Sequence, residues 1–198
     1  MISRESPLIL ASASPRRREL LSAMGVSFEV LTADIDELTG GKSIGALTVA
    51  LYNARFKAWA VAKKTPGRWV LGADTVVVLD EQIVGKPSSQ LQAKEFLRML
   101  SARTHDVVTG CALINPNSQD YLHRTHTFYA RTRVTFHTLT DEVIDRYLAE
   151  VHVLDKAGAY ALQERGEWIV ERVEGSRTNV IGLPTEVLEK VFLQNGLL

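Results

Sequence analysis

Helix-like and strand-like patterns interleave along this chain, and that interleaving constrains its fold more than any other feature. Leu8 to Ala11 is a short apolar run that predicts a buried strand. Ser14 as N-cap and Pro15 at the first helical position open a helix behind it, with Leu20, Leu21 and Met24 as its stripe and Gly25 as its stop. The alternation in "SFEVLTADIDE" predicts a strand running into acids. Leu47 to Ala62 is an alanine-rich helix with Leu47, Leu51, Ala54, Ala58 and Val61 on one side. "RWVLGADTVVVLD" is a β-branched strand interrupted by Gly72. "DEQIVGKP" is a turn, a short strand and a proline stop, and Gln90 to Leu100 is an amphipathic helix. Two long strands around a turn at Pro116 to Asp120 follow, then a helix over Asp141 to Glu150. A glycine-rich stretch from Lys156 to Gly166, a strand from Trp168 to Val173, the loop "EGSRTNVIGLP" and a helix over Thr185 to Leu193 complete the chain. The pattern predicts the α/β class. No repeat, low-complexity tract or long linker divides it, so residues 1–198 are read as one domain.

Charge narrows the function. Lys and Arg number 23, Asp and Glu also 23, so the net charge is zero. This argues against bulk nucleic acid or a membrane surface as partner, and any anion must be met by locally grouped cations. The lone Cys111 allows no internal disulfide and sits in the apolar "VVTGCALI", the setting of a buried, inert thiol. No apolar run approaches the roughly 18 residues of a membrane helix. The apolar part of the N-terminus is shorter than the roughly 7–15 residues of a signal h-region, although "ASA" resembles a cleavage site. The expectation is a mature, cytoplasmic N-terminus.

Five places can carry chemistry. In "LILASASPRR", small residues precede a helix start that is basic, where acids are usual. Ser12, Ala13 and Ser14 would let backbone N–H groups approach an anion, and Arg16 and Arg17 offer forked donors for phosphate oxygens. Taken alone, a plain strand–cap–helix with solvated arginines comes ahead of the anion site, and the glycines of a Walker loop are absent. Asp34, Asp36 and Glu37 in "ADIDE" fit either a solvated acidic loop or a hard cation such as Mg²⁺ or Mn²⁺. Asp74 follows a buried strand run, where a carboxylate costs several kcal/mol unless paired or bound to metal. The competing reading is a strand-end Asp capping a turn. Lys57, in the apolar "RFKAWAVA", and Lys86, in "VGKP", are either solvated or converge on Asp74 to neutralise phosphate. His105, His123, His126, His137 and His152 lack zinc spacing and read as surface or core histidines.

Taken in order, "LILASASPRRREL", "DIDE", "GADT", "GKP", "THDVVTG", "LDKAGAYALQ" and "NVIGLP" resemble the Maf family of nucleoside triphosphate pyrophosphatases, from about Leu8 to about Leu188. The resemblance implies an elongated mixed sheet with flanking helices and two lobes around a cleft, akin to inosine triphosphate pyrophosphatases. It also implies a homodimer, a divalent metal, and hydrolysis of a nucleoside triphosphate to monophosphate and pyrophosphate. Roles in removing non-standard nucleotides and restraining septum formation are associated with the family. "SPRR", "GADT" and "KAGAYxxQ" resemble the branch acting on dTTP and UTP, with modified pyrimidine nucleotides as further substrates. By that resemblance Asp74 is the proton acceptor, and Glu37 with Asp74 holds the metal. Ser12, Arg17, Lys57 and Lys86 take substrate or phosphate positions, and Arg16, Thr75 and Gln163 contribute to pyrimidine selectivity. The chain departs from the family pattern at Arg18, at Asn53, Ala54 and Arg55, and at Glu164 beside Gln163.

The expected reaction is attack of water on the α-phosphorus, with Asp74 taking the proton and pyrophosphate leaving. Arg16, Arg17, Lys57 and Lys86, with one metal and less Glu37 and Asp74, leave a local charge of about +4 against a triphosphate of about −4. Two other readings use the same residues. A nucleotide-sugar glycosyltransferase would use Asp34-Ile-Asp36 as its DxD with Mn²⁺. A non-catalytic nucleotide-binding regulator of septum formation would need the cations but not Asp74.

Overall fold

The computed structural model describes residues 6–32, 34–39, 44–118 and 124–198. Its strands are β1 (Leu8–Leu10), β2 (Phe28–Val30), β3 (Val70–Leu79), β4 (Gln82–Val84), β5 (Thr104–Ile114), β6 (Thr125–Phe136) and β7 (Val170–Glu174). Its helices are α1 (Pro15–Ala23), α2 (Ala46–Ala62), α3 (Gln90–Leu100), α4 (Asp141–Glu150), α5 (Arg177–Ile181) and α6 (Thr185–Gln194). The strands form one mixed seven-stranded sheet, ordered β2-β1-β3-β5-β6-β7, with β4 on β3. The mixed α/β architecture with flanking helices agrees with the expectation.

Alternation along β3 assigns the two faces. Leu71 and Ala73 pack with Leu8, Leu10 and Leu21 and with Leu188 and Phe192 of α6. Val77 and Leu79, further along the same face, pack with Ala93 and Leu97 of α3 and Ile144 and Tyr147 of α4. Two helix pairs thus cover opposite ends of one face, and Thr75 falls between them. The other face carries Val70, Gly72, Asp74 and Val76, with α2 laid across it.

Gly72 and Gly110 explain how closely α2 lies. A Cβ on Gly72 would stand 2.1 Å from the Ala54 carbonyl oxygen, and one on Gly110 would stand 2.6 Å from the backbone of Ala50 and Leu51. The helix backbone therefore rests on the sheet, and residues 50, 53, 54, 57 and 58 face it. Ala54, Ala58 and Val61 of the expected stripe are buried, and the stripe is corrected only at its first two members. Leu47 and Leu51 are only half-buried, whereas Ala50, Asn53, Ala54 and Ala58 are buried.

Other boundaries also differ from the expected ones. β2 ends at Val30, so the acids lie in a loop beyond the strand rather than at its end. The last strand begins at Val170, because Gly166–Trp168 form a 3₁₀ turn. The loop before the last helix contains α5, capped by the Ser176 hydroxyl accepting from the Asn179 N–H. The turn expected at Pro116 to Asp120 extends beyond the described residues, as does His123. No helix among the described residues is long and apolar enough to cross a membrane.

Candidate active site

The cleft begins with a gap in strand pairing. β1 pairs with β3 only at Ile9–Val70 and Leu10–Leu71, and β4 takes up the same edge only from Val77. Among the described residues no strand pairs with Gly72 to Val76 on that edge, and Asp74 and Thr75 lie at its middle. Asp74 is opposite Gly110 on the other edge, deep within β3. This excludes the strand-end, turn-capping reading. Ser12, just after β1, and Lys86, just after β4, stand on the two sides of the gap and line a cavity of about 370 Å³. The cavity is also lined by Arg16, Arg17, Glu37, Lys57, Asp74, Thr75 and Gln163, so every candidate site residue meets in one place. The N-terminus of α1 forms part of its wall. Ser14 occupies the N-cap position there but makes no side-chain capping bond.

One end of the cavity holds the acids. Lys57 Nζ lies 2.7 Å from Asp74 Oδ1 and 2.8 Å from Glu37 Oε1, bridging the two carboxylates. Its side chain is 12% exposed, which removes the solvated reading. Asp74 Oδ2 accepts a hydrogen bond from Asn53 Nδ2 at 3.0 Å. Burial by itself raises the Glu37 carboxyl. The hydrogen bond and charge of Lys57 outweigh it, with Lys86 and Arg17 adding, and Glu37 sits below the ordinary carboxylate value. Asp34 and Asp36 are exposed and do not line the cavity, which leaves the DxD reading without a site. Among the described residues no three acid, His or Cys side chains form a metal cage. Two hard carboxylates converging on one cation do fit Mg²⁺ or Mn²⁺, which often take one or two protein carboxylates and complete their shell with water and phosphate.

Arg17 lines the cavity and is also anchored within the protein. It is 9% exposed, and its Nε donates to the Gly182 carbonyl at 2.8 Å. Its terminal nitrogens donate to Ser12 Oγ and Thr75 Oγ1, each at 3.0 Å. The Thr109 hydroxyl donates to the Asn179 carbonyl, so in the 2.9 Å contact with Thr75 it must accept. The chain Arg17 to Thr75 to Thr109 to Asn179 thus runs in one direction and ties α1, β3, β5 and α5 together. The chain fixes the Thr75 hydroxyl at the cavity wall.

The far end was partly missed from the sequence. Arg16 pairs with Asp155 at 2.9 Å. Lys156 is 6% exposed, lies 2.9 Å from Asp155 and 3.7 Å from Glu164, and donates to the His152 carbonyl. Gln163 is exposed, and its Nε2 donates to Glu164 Oε1 at 3.3 Å. The Asp155–Lys156 pair in "LDKAGAY" was the available signal, but the burial of Lys156 comes from the fold and not from its small neighbours in sequence. Lys156 and Asp155 cancel in the charge count, so the cavity carries five cations against three carboxylates, the same balance as the sequence count. Below Tyr160, which lines the cavity, His105 is buried and bonded to the Tyr160 hydroxyl at 2.9 Å. Burial depresses its pKa to about 4, so the ring is neutral and it is a core histidine. Burial pushes the Cys111 thiol up to about 12, consistent with an inert thiol.

Comparison with known proteins agrees with this geometry. Residues 7–195 match the family model described as Maf-like protein. A dTTP/UTP pyrophosphatase of Bacillus cereus is 43% identical over 187 residues, covering 94% of each chain. The dTTP/UTP pyrophosphatase of Bacillus mycoides is 45% identical over the same shares. The Staphylococcus aureus Ham1 protein superposes with a TM-score of 0.51 at 16% identity, over 96% of this chain and 98% of its own, a likeness of fold. With the motifs, the cleft and nearly the whole length in agreement, this chain belongs to the Maf family.

Proposed function

We propose that this protein hydrolyses nucleoside triphosphates, dTTP and UTP foremost, to the monophosphate and pyrophosphate. The observation that carries the reading is the Glu37–Lys57–Asp74 cluster at the unpaired edge of β3, within a cavity that also holds the α1 N-terminus and five cations. The 43–45% identity to proteins named dTTP/UTP pyrophosphatase supports the substrate class. Asp74 accepts the proton of the attacking water, which adds to the α-phosphorus as pyrophosphate departs. Asn53 and Lys57 hold its carboxylate by one hydrogen bond to each oxygen. Lys57, Lys86, Arg16 and the α1 N-terminus meet the phosphate charge, while Arg17 keeps Ser12 and Thr75 in place. A divalent cation, Mg²⁺ or Mn²⁺, would be held by Glu37 and Asp74 and supplies Lewis-acid charge at the phosphate oxygens when bound. Arg16, Thr75 and Gln163 set the base preference. The resemblance adds a homodimer and a cytoplasmic setting to this reading, and light scattering of the purified chain tests the first.

The experiment is a screen of normal and modified triphosphates for pyrophosphate release with Mg²⁺ or Mn²⁺, on the wild type and Asp74→Asn. We expect dTTP and UTP to lead. Asp74→Asn should retain nucleotide binding and lose roughly 10²–10⁴-fold in turnover, the usual range for a positioned base. Near-wild-type release by the variant removes Asp74 from its role. Tight nucleotide binding by the wild type without hydrolysis points instead to a regulator.

A further inference from the structure

Asn53 is 2% exposed on the sheet-facing side of α2, between alanines. A buried amide there is costly unless its polar atoms are bonded. Its Oδ1 accepts from the Leu38 N–H at 2.8 Å. Its Nδ2 donates to the Leu38 carbonyl and to Asp74 Oδ2, both at 3.0 Å. The orientation is unambiguous, since a flipped amide would set N–H against N–H and oxygen against both a carbonyl and a carboxylate. Two of the three bonds close on a single residue of the acid loop, directly after Glu37. The third ends on the carboxylate that Glu37 shares through Lys57.

We propose that Asn53 is a positioning residue for the reaction, clasping the Glu37 loop to Asp74 so that both carboxylates are held in one geometry before substrate arrives. The proposal rests on the roles given to Glu37 and Asp74 above. The side chain suits the task because it has both a donor and an acceptor at one end. Leucine has neither, and aspartate would face Asp74 and the Leu38 carbonyl with like charge.

The test compares Asn53→Leu with the wild type in three measurements. Hydrogen exchange on the metal-free protein reads the Leu38 amide. Calorimetric titration with Mn²⁺ alone reads the affinity of the acid pair. Steady-state kinetics separates metal half-saturation from kcat. A lost net hydrogen bond of about 1.4 kcal/mol corresponds to about tenfold, so we expect Leu38 exchange about tenfold faster and Mn²⁺ binding about tenfold weaker. Activity should recover largely at saturating metal. Asn53→Ala, which extends the alanine stripe already on that face, reads the same quantities if the leucine fails to fold. Wild-type Leu38 exchange and Mn²⁺ affinity in a folded variant overturn the proposal. Asp74→Asn separates the two readings. If it retains turnover, the role of Asp74 fails while faster Leu38 exchange in Asn53→Leu still demonstrates the clasp. If it loses turnover and Asn53→Leu behaves as wild type, the clasp alone fails.

Discussion

The two ends of the cleft are built on opposite principles. At the acid end, Lys57 and Asp74 are 12% and 11% exposed in their side chains, and every partner of Asp74 comes from a helix whose backbone rests on the sheet. At the far end, Arg16, Asp155 and Glu164 are 20%, 44% and 43% exposed in their side chains, with one buried cation, Lys156, among them, and the Arg16–Asp155 contact joins α1 to a segment 139 residues away. Burial makes the first end dependent on each partner, because a charge taken from water must be answered locally. At the second end Lys156 alone is so dependent; exposure makes the Arg16–Asp155 and Gln163–Glu164 contacts tolerant, because water can replace a lost partner. Bond-breaking needs atoms held to fractions of an ångström, and choosing among bases needs a surface that can adjust. The division of labour proposed for the site follows that physical difference.

The sharpest break falls on the acid end. Lys57→Met leaves Asp74 and Glu37 facing each other without the cation between them, and removing one member of a buried pair costs about 3–5 kcal/mol. Denaturant unfolding should register a loss near the lower figure, since Glu37 is 42% exposed, and pyrophosphate release should collapse. Retained stability would mean that water already enters between the acids, and the contrast between the ends would vanish. Next in size is Gly72→Ala. Its methyl would meet the Ala54 carbonyl oxygen at 2.1 Å, a helix backbone that cannot give way without moving Asn53 and Lys57. Overpacking of this kind costs about 1–3 kcal/mol. Melting temperature and kcat should fall together. A fall in stability with kcat intact would show that α2 can shift without disturbing the acids.

How much of this was legible beforehand depends on the reach of each signal. Strand and helix periods are local, and they placed α3 and α4 to the residue. Asp74 stood out because a carboxylate within an apolar strand demands a partner nearby. The partner's face is less legible. The apolar stripe through Leu47 and Leu51 follows hydrophobicity, whereas Gly72 and Gly110 let small residues approach and turn Asn53 and Lys57 inward. That choice is made by the sheet, which the helix sequence does not contain. Asp155 was invisible for a different reason. Its meaning lies in Arg16, and nothing within reach of a periodicity argument links residues 139 positions apart. Ser12, Arg16 and Lys86 were legible locally as phosphate candidates, Thr75 and Gln163 only through the ordered motifs, and the convergence of all five in one cavity required the fold.

The smallest effects should come from the far end, and they test the contrast from the other side. Asp155→Asn frees Arg16 from an exposed contact worth less than about 1 kcal/mol, but it also takes the nearest carboxylate from buried Lys156, which keeps the His152 carbonyl and Glu164, so a modest loss of stability should accompany looser selectivity among bases. Glu164→Gly is finer still. The carboxylate accepts from the exposed Gln163 amide and stands 3.7 Å from Lys156, so it restrains one side chain assigned to base choice and screens one buried cation. Removing it should leave unfolding within about 0.5 kcal/mol of wild type, as for most surface substitutions. The ratio of kcat/KM for UTP over CTP should change by roughly threefold, equivalent to less than about 1 kcal/mol. The measurement is that ratio taken at fixed metal. A ratio unmoved by Glu164→Gly but moved by Gln163→Ala would place the amide's orientation in the backbone of residues 156–163, and the far end would then be more rigid than its exposure implies.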